Sequence, residues 1–483
     1  MEIDEFSNIF FQMEMKEGFF NNRTPNRDPF WDVVRFDIFF SLFEEINEPG
    51  QSGNSFARRL LFSWPTKIHK IPLKITSMAN QWVRLKQIRP SDFVAYVCSR
   101  YSDTMGNSID FASDDAFHAL SEMGPIQRIE SQHNLPRDLN INLLIRIGAH
   151  IYRLPTDYHH YFCGIAKVIA NAEERYFGVT DPQLFSVICR TYKSHLIERR
   201  IWGEIFDHVR PRIVLMTQNG IQKGLIFEAR RRAVPVIECQ HGVINLMHPA
   251  YSYPSNLQPG ETVILPDVLL LFSEYWKRQC HMPGTKMVVT GNNHFFSHGA
   301  HSSRNGAAVF VSAISFHKYL SPLAVKVAQL LPDRTFIMKL HPQQLSDRAR
   351  IEREYNGIPN LVVVGMEKSC PELFTDASDV IIIQSTASYE ALDRGIPVHI
   401  LREDGYVSHQ DLFAHPGVRV FSTAEELKTS LFKPVIRSER IYRFFDAFNP
   451  DVFHKLIQGL DHLLRDSERS QTELSYKPAH APY

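Results

Sequence analysis

Short apolar runs alternate with stretches of helical spacing from Arg212 onward. Residues 213–217, 234–240, 268–272 and 286–290 are such runs. Uninterrupted runs of Val, Ile and Leu predict parallel strands buried on both faces. Gln218-Asn219-Gly220 turns into a helix predicted over 221–232. Ser273 is expected to cap a helix through Arg278, and Gly291 closes the fourth strand. A second series follows, with strands predicted at 308–312, 335–340, 361–364, 380–384, 398–401 and 418–421. Strands separated by helices imply a parallel sheet with right-handed crossovers. The stretch 292–306, rich in His, Ser, Asn and Gly, has no periodicity and is read as a linker.

The first half is less regular. Residues 92–98 and 141–147 are expected strands, and 158–208 is helical. An amphipathic helix is predicted over 31–46. On it Phe36, Phe39, Phe40 and Phe43 fall at i, i+3, i+4 and i+7, which predicts packing against a core rather than docking to a membrane surface. Residues 51–90 read as helical with breaks. Asp114 and Asp115 suit either a helix cap before Ala116 or contact with an acceptor. The resulting division is a helical extension over 1–90, one Rossmann-like domain over 91–291, the linker, a second such domain over 307–435, closing helices over 436–466 and a disordered tail over 467–483. The fold class is α/β, with two doubly wound domains facing across a cleft.

Composition narrows the function. At 483 residues, two or three domains are expected. Lys+Arg and Asp+Glu balance at 53 each, so no overall field points to nucleic acid. Arg230-Arg231-Arg232 reads as a solvated helix end. The six cysteines are scattered without a Cys-x-x-Cys pair, which fits a reducing compartment and no structural zinc. The acidic start, Met1-Glu2-Ile3-Asp4-Glu5, is not a signal peptide. No apolar run approaches the roughly 18 residues of a membrane span. A cytoplasmic protein is expected, either unattached or peripheral at a membrane.

Candidate chemistry gathers at strand ends, where open α/β sheets bind ligands. In the second series Ser312 and Ser315 follow the first strand, and Lys339, His341 and Pro342 end the second. Gly365 and Met366 follow the third. The fourth leads into Ser385, Thr386 and Ser388, with Glu390 one turn into the next helix. A helix starting after Ser385-Thr386 would aim its N–H groups at an anion such as phosphate. In the first series, Gln240-His241-Gly242 ends a strand. A histidine near its ordinary pKa of about 6.5 can take a proton from an acceptor hydroxyl. Arg100, Asp103, Asp110 and Asn219, beyond other strand ends, are candidate acceptor contacts. His248-Pro249 and His415-Pro416 read as turns.

The order Lys-x-His-Pro, then Ser-Thr, then Glu-Ala-x-x-x-Gly-x-Pro-Val resembles the donor half of GT-B glycosyltransferases. The likeness is to bacterial capsule and cell-surface polysaccharide enzymes. Sialyl- and Kdo-type transferases and polyol-phosphate polymerases are among them. Gln240-His241-Gly242 with His341-Pro342 resembles the His-Gly and His-Pro pair of the polymerases. The resemblance spans about residues 212–435. It implies a nucleotide-sugar co-substrate, CMP- or UDP-linked, a glycan or glycolipid acceptor, and no bound cofactor. It also implies that His241 and His341 are catalytic and that the second-series residues hold the donor nucleotide. The sequence contains no Asp-x-Asp, so metal independence is expected. An acidic triplet of the sialyltransferase kind is missing upstream; Glu403-Asp404-Gly405 spells it in the wrong half. The alternatives are a polyol-phosphate transferase, a nucleotide-sugar 2-epimerase-like enzyme with Glu238 or Glu261 as acids, and a non-catalytic nucleotide-sugar-binding protein.

Overall fold

The computed structural model describes residues 1–47, 83–98, 101–102, 108–130, 141–255, 257, 262–296, 306–403, 405–433 and 443–460. Two six-stranded parallel sheets organise them. The first holds β1 (Phe93–Val97), β2 (Ile126–Glu130), β3 (Ile213–Met216), β4 (Val236–Cys239), β5 (Val268–Leu271) and β6 (Lys286–Val289), in the order β2-β1-β3-β4-β5-β6. The second holds β7 (Ala308–Val311), β8 (Phe336–Lys339), β9 (Leu361–Val364), β10 (Asp379–Ile382), β11 (Val398–Leu401) and β12 (Val418–Phe421), in the order β9-β8-β7-β10-β11-β12. Counted within its own domain, that second order is 3-2-1-4-5-6, the doubly wound dinucleotide-binding order. Its order reverses between β7 and β10. The first sheet reverses between β1 and β3. The expectation of two Rossmann-like domains stands.

Burial explains the legible strands. β1, β3, β4, β5, β7, β10 and β11 are buried throughout, as their mainly apolar sequence requires, with Glu238, Asp379 and His399 the polar residues buried among them. Two first-half readings need correction. Residues 141–147 are not a strand but the start of the helix Ile141–Ile151. Ile141, Leu144 and Ile147 form its buried seam at helical spacing, which the β-branched content masked. The edge strand of the first sheet is instead β2, whose Gln127, Arg128 and Glu130 hide the pattern. Ser273 sits at the N-cap position of Glu274–Arg278, but its side chain caps nothing, and the element is a 3-10 turn.

The helices Ile3–Glu17 and Trp31–Asn47 are part of the first domain's core rather than an extension of it. Phe6, Phe10, Phe39 and Trp31 are fully buried there. Arg35 pairs with Glu14 in the interior and Lys223 with Asp32. The reading of 51–90 as broken helix lies outside the described residues over 51–82; of the rest, 83–85 are helical.

After the second sheet the chain returns to the first. Phe444 and Phe445 donate their N–H groups to the Asp393 carboxylate, and Asp446 N–H reaches Phe272 O at 2.8 Å. A helix over 450–460 then lays Phe453, Leu456 and Ile457 on the outer face of β1, so one closing helix is seen, and it closes the first domain. One glycine permits this crossing, and another lets the chain enter the second domain beside Asp376. A Cβ on Gly291, at φ +75°, would lie 2.1 Å from Ala447 O, and one on Gly306 would lie 1.6 Å from Asp376 O. Among the described residues, no helix is long and apolar enough to cross a membrane.

Candidate active site

The C-terminal ends of both sheets face one another. β4 runs into Gln240-His241-Gly242 and β10 into Gln384-Ser385-Thr386. A Cβ on Gly242 would come 3.5 Å from Thr386 Oγ1. Next to this meeting point Asn245 Nδ2 donates to Ser408 O at 3.4 Å. Tyr275, from the first domain, donates to Asp411 of the second, which also accepts from Tyr389 at 3.0 and 3.1 Å. The predicted His-Gly and Ser-Thr motifs therefore meet across the domain boundary.

On the first-domain side the groups are interlocked. The fully buried Glu238 accepts from Asn219 N–H at 3.0 Å, Asn219 Nδ2 at 2.8 Å and Tyr251 Oη at 2.7 Å. Burial pushes the Glu238 pKa up, opposed by those hydrogen bonds and by the Lys223 charge. Tyr251 Oη lies 3.3 Å from His241 Nδ1. Gln240 braces the loop, donating from Nε2 to Gly242 O at 2.9 Å and accepting from Phe272 N–H at 3.1 Å. Asn219 is thus completely buried and serves Glu238, so its expected contact with an acceptor is corrected. Asp110 is corrected likewise. It is buried, accepts from the N–H groups of Cys98 and Ala112 and from Ser113 Oγ, and so ties its loop to the end of β1. Asp114 accepts from Asp110 N–H, and Asp115 accepts from Asn293 at the start of the linker. Arg100 and Asp103 lie outside the described residues.

The second-domain side is arranged differently. His341 is half-buried, and its N–H donates to Gln344 Oε1 at 2.9 Å; Pro342 opens the 3-10 turn Pro342–Asp347. Lys339 is buried, with its ammonium on Gly365 O. Burial lowers its pKa, against Cys370, Glu367 and Glu372, which raise it. Gly365 N–H donates to Glu367 at 2.9 Å, and Met366 is exposed. Ser312 is buried against His317 Nδ1 at 3.0 Å, and Ser388 is buried with its hydroxyl on Ser385 O at 2.7 Å. Those two hydroxyls are turned inward, which corrects their expected place around a phosphate. Ser385 Oγ accepts from Ala387 N–H at 3.2 Å, and Ser385 and Thr386 are half-buried. The helix they precede, Ala387–Asp393, has only seven residues, so its dipole is weaker than the sequence suggested. Ser315 sits in the turn after β7.

Glu390 is buried, and its Oε2 has no hydrogen-bond partner among the described residues. Burial pushes its pKa up to about 7, opposed by Arg394. Cys370 is pushed up to about 12 by burial and then by Glu390, with Lys339 and Arg394 opposing. Lys339, Cys370, Glu390 and Arg394 thus form one titratable cluster behind the strand ends. His409, which no sequence motif marks, holds the Ser385 carbonyl with Nε2 at 2.9 Å. No sequence motif marks Tyr251 either. His248 and His415 are turn residues, as expected: each ring Nδ1 accepts a backbone N–H two residues on. No group of three His, Cys, Asp or Glu suited to a metal occurs among the described residues.

No family model and no curated protein matches the sequence. Three solved structures illustrate what the chain is similar to. The Methanocaldococcus jannaschii UDP-GlcNAc 2-epimerase in complex with UDP-GlcNAc and UDP aligns over 77% of this chain and 99% of that one, at 10% identity and TM-score 0.46. The Neisseria meningitidis UDP-GlcNAc 2-epimerase bound to UDP-GlcNAc aligns over 76% and 99%, at 13% identity and TM-score 0.42. The spinosyn rhamnosyltransferase SpnG aligns over 79% and 100%, at 15% identity and TM-score 0.42. The strand order carries the fold assignment to two facing Rossmann-like domains.

Proposed function

We propose that the chain is a glycosyltransferase that holds a nucleotide-sugar between its two domains and passes the sugar to a hydroxyl of a surface glycan or glycolipid. One observation carries this reading: His241-Gly242 at the end of β4 lies against Thr386 at the end of β10. The second domain's doubly wound order suits a nucleotide at that end of the sheet. His341 and the Ser385-Thr386 turn are the groups assigned to the donor phosphates, where negative charge grows as the sugar leaves. Lys339 ties the end of β8 to the turn after β9 through Gly365 O, beside His341. His241 is assigned the acceptor proton. The sequence has no Asp-x-Asp, so fixed donors rather than a metal are assigned the leaving group. An ulosonic-acid donor such as Kdo or sialic acid goes with a CMP-linked co-substrate.

The epimerase-like reading needs acids beside the sugar. Glu238 is fully buried and engaged by Asn219 and Tyr251, which disfavours it for that task. A thermal-shift panel of CMP, CDP, UDP, GDP and their sugars tests the proposal. A ligand at 100 times its Kd stabilises by about 2.7 kcal/mol. Stabilisation by a nucleotide and its sugar, with transfer that survives EDTA, is expected. UDP binding with release of unlinked sugar favours the epimerase, and no stabilisation by any nucleotide contradicts both.

A further inference from the structure

We propose that Tyr251 is a positioning residue for His241: its hydroxyl, held by Glu238, fixes which imidazole nitrogen carries the proton, and Arg35 clamps the backbone on either side of it. The proposal rests on the reading of His241 as the acceptor base.

The hydroxyl has one proton. Glu238 is the stronger acceptor and lies 2.7 Å away, so the proton points there. Tyr251 Oη then faces His241 Nδ1, 3.3 Å away, with a lone pair, and the neutral ring meets it with Nδ1–H. That places the basic lone pair on Nε2. The Nδ1–H form is the minor one for an unconstrained histidine, so the bridge selects it. The hydrogen bond at one ring nitrogen sets which nitrogen of a working histidine stays basic.

The bridge is held at its backbone as well. Tyr251 N–H donates to His248 O at 3.0 Å, and His281 N–H donates to Tyr251 O at 2.7 Å. Arg35 donates to Pro249 O and, at 2.8 Å, to Ser252 O. Its guanidinium is itself held by Glu14 Oε2 at 2.8 Å. The N-terminal helices therefore reach the candidate base through three residues: Glu14, Arg35 and Tyr251. The titratable groups facing the bridge are Lys223, Cys239 and Cys280 toward Glu238, and Cys280, Tyr253 and the His248 ring, 5.1 Å away, toward Tyr251. Burial and Glu238 together hold the Tyr251 hydroxyl protonated.

The test reads the ring nitrogens of His241 by NMR in the full chain labelled with 15N-histidine, with the signal assigned by its loss in His241→Gln. The wild type is expected to show Nδ1–H, and Tyr251→Phe to move the ring toward Nε2–H. In the same variant kcat falls by about 10–100-fold, the usual effect of an outer-shell partner, with nucleotide Kd unchanged. An Nε2–H ring in the wild type overturns the proposal, and so does an unchanged tautomer in a folded Tyr251→Phe, which would leave Tyr251 a purely structural role. If Tyr251→Phe does not fold, the wild-type tautomer alone decides. The tautomer is read without substrate, so an enzyme inactive on every nucleotide-sugar would contradict the function and leave this result standing.

Discussion

The two facing sheet ends are built on opposite principles. On the first domain's edge, Asn219, Glu238, Tyr251 and His241 form one continuous chain of hydrogen bonds, three of them buried. On the second domain's edge, His341, Ser385 and Thr386 are half-buried and joined mainly to backbone and near neighbours. A locked edge suits a group that must keep one orientation through a proton transfer. A looser edge suits a ligand that must arrive and leave. Under the proposed function, the contrast goes with chemistry on the first domain and binding on the second.

The largest expected effect is on the locked edge. His241→Ala should lower kcat by about 10²–10⁴, the range for a positioned acid–base group, in single-turnover assays. Turnover within a few-fold of wild type would remove the base from His241. Next comes the clamp behind it. Glu14→Ala leaves Arg35 buried without its carboxylate, which typically costs about 3–5 kcal/mol. Denaturant unfolding should register a loss of that order, and a loss under about 1 kcal/mol would mean the N-terminal helices do not anchor the domain.

A smaller effect separates the domains by pH. Glu198 in the first domain sits under the Gly224 and Leu225 N–H groups, and burial pushes it up to about 8; Glu390 in the second rises to about 7. Both folded pKa values exceed the unfolded value of about 4.3. The stability they contribute is therefore fully present below that value and lost as pH rises through about 7 for Glu390 and about 8 for Glu198. Glu390→Gln and Glu198→Gln should each raise Tm relative to wild type at pH 9 far more than at pH 4.5. A pH-independent difference for either would contradict its buried, protonated state.

The same contrast governs what the sequence revealed. The second domain's strands were legible because each is a short, largely apolar run, and the central ones, such as Ala308–Val311 and Val398–Leu401, are buried on both faces. In the first domain β2 was missed, because an edge strand carrying Gln127, Arg128 and Glu130 has no apolar signature. The facing strand ends were legible through motif order, and His241, Ser385 and Thr386 do converge. Side-chain direction was not. Asp110, Asn219, Ser312 and Ser388 stand at the expected strand ends but turn inward, where they cap, brace or fill. Tyr251 joins Glu238 only because the 249–253 loop folds back over β4, a long-range contact without a local pattern.

The most direct test of the division between the edges is calorimetric titration of the nucleotide that stabilises the chain best, into wild type, His241→Ala and His341→Ala. Loss of a hydrogen bond to a charged group costs about 1.5–3 kcal/mol. The account predicts that His341→Ala weakens nucleotide binding by that amount and that His241→Ala binds as wild type does. Nucleotide binding lost in folded His241→Ala and kept in His341→Ala would contradict it.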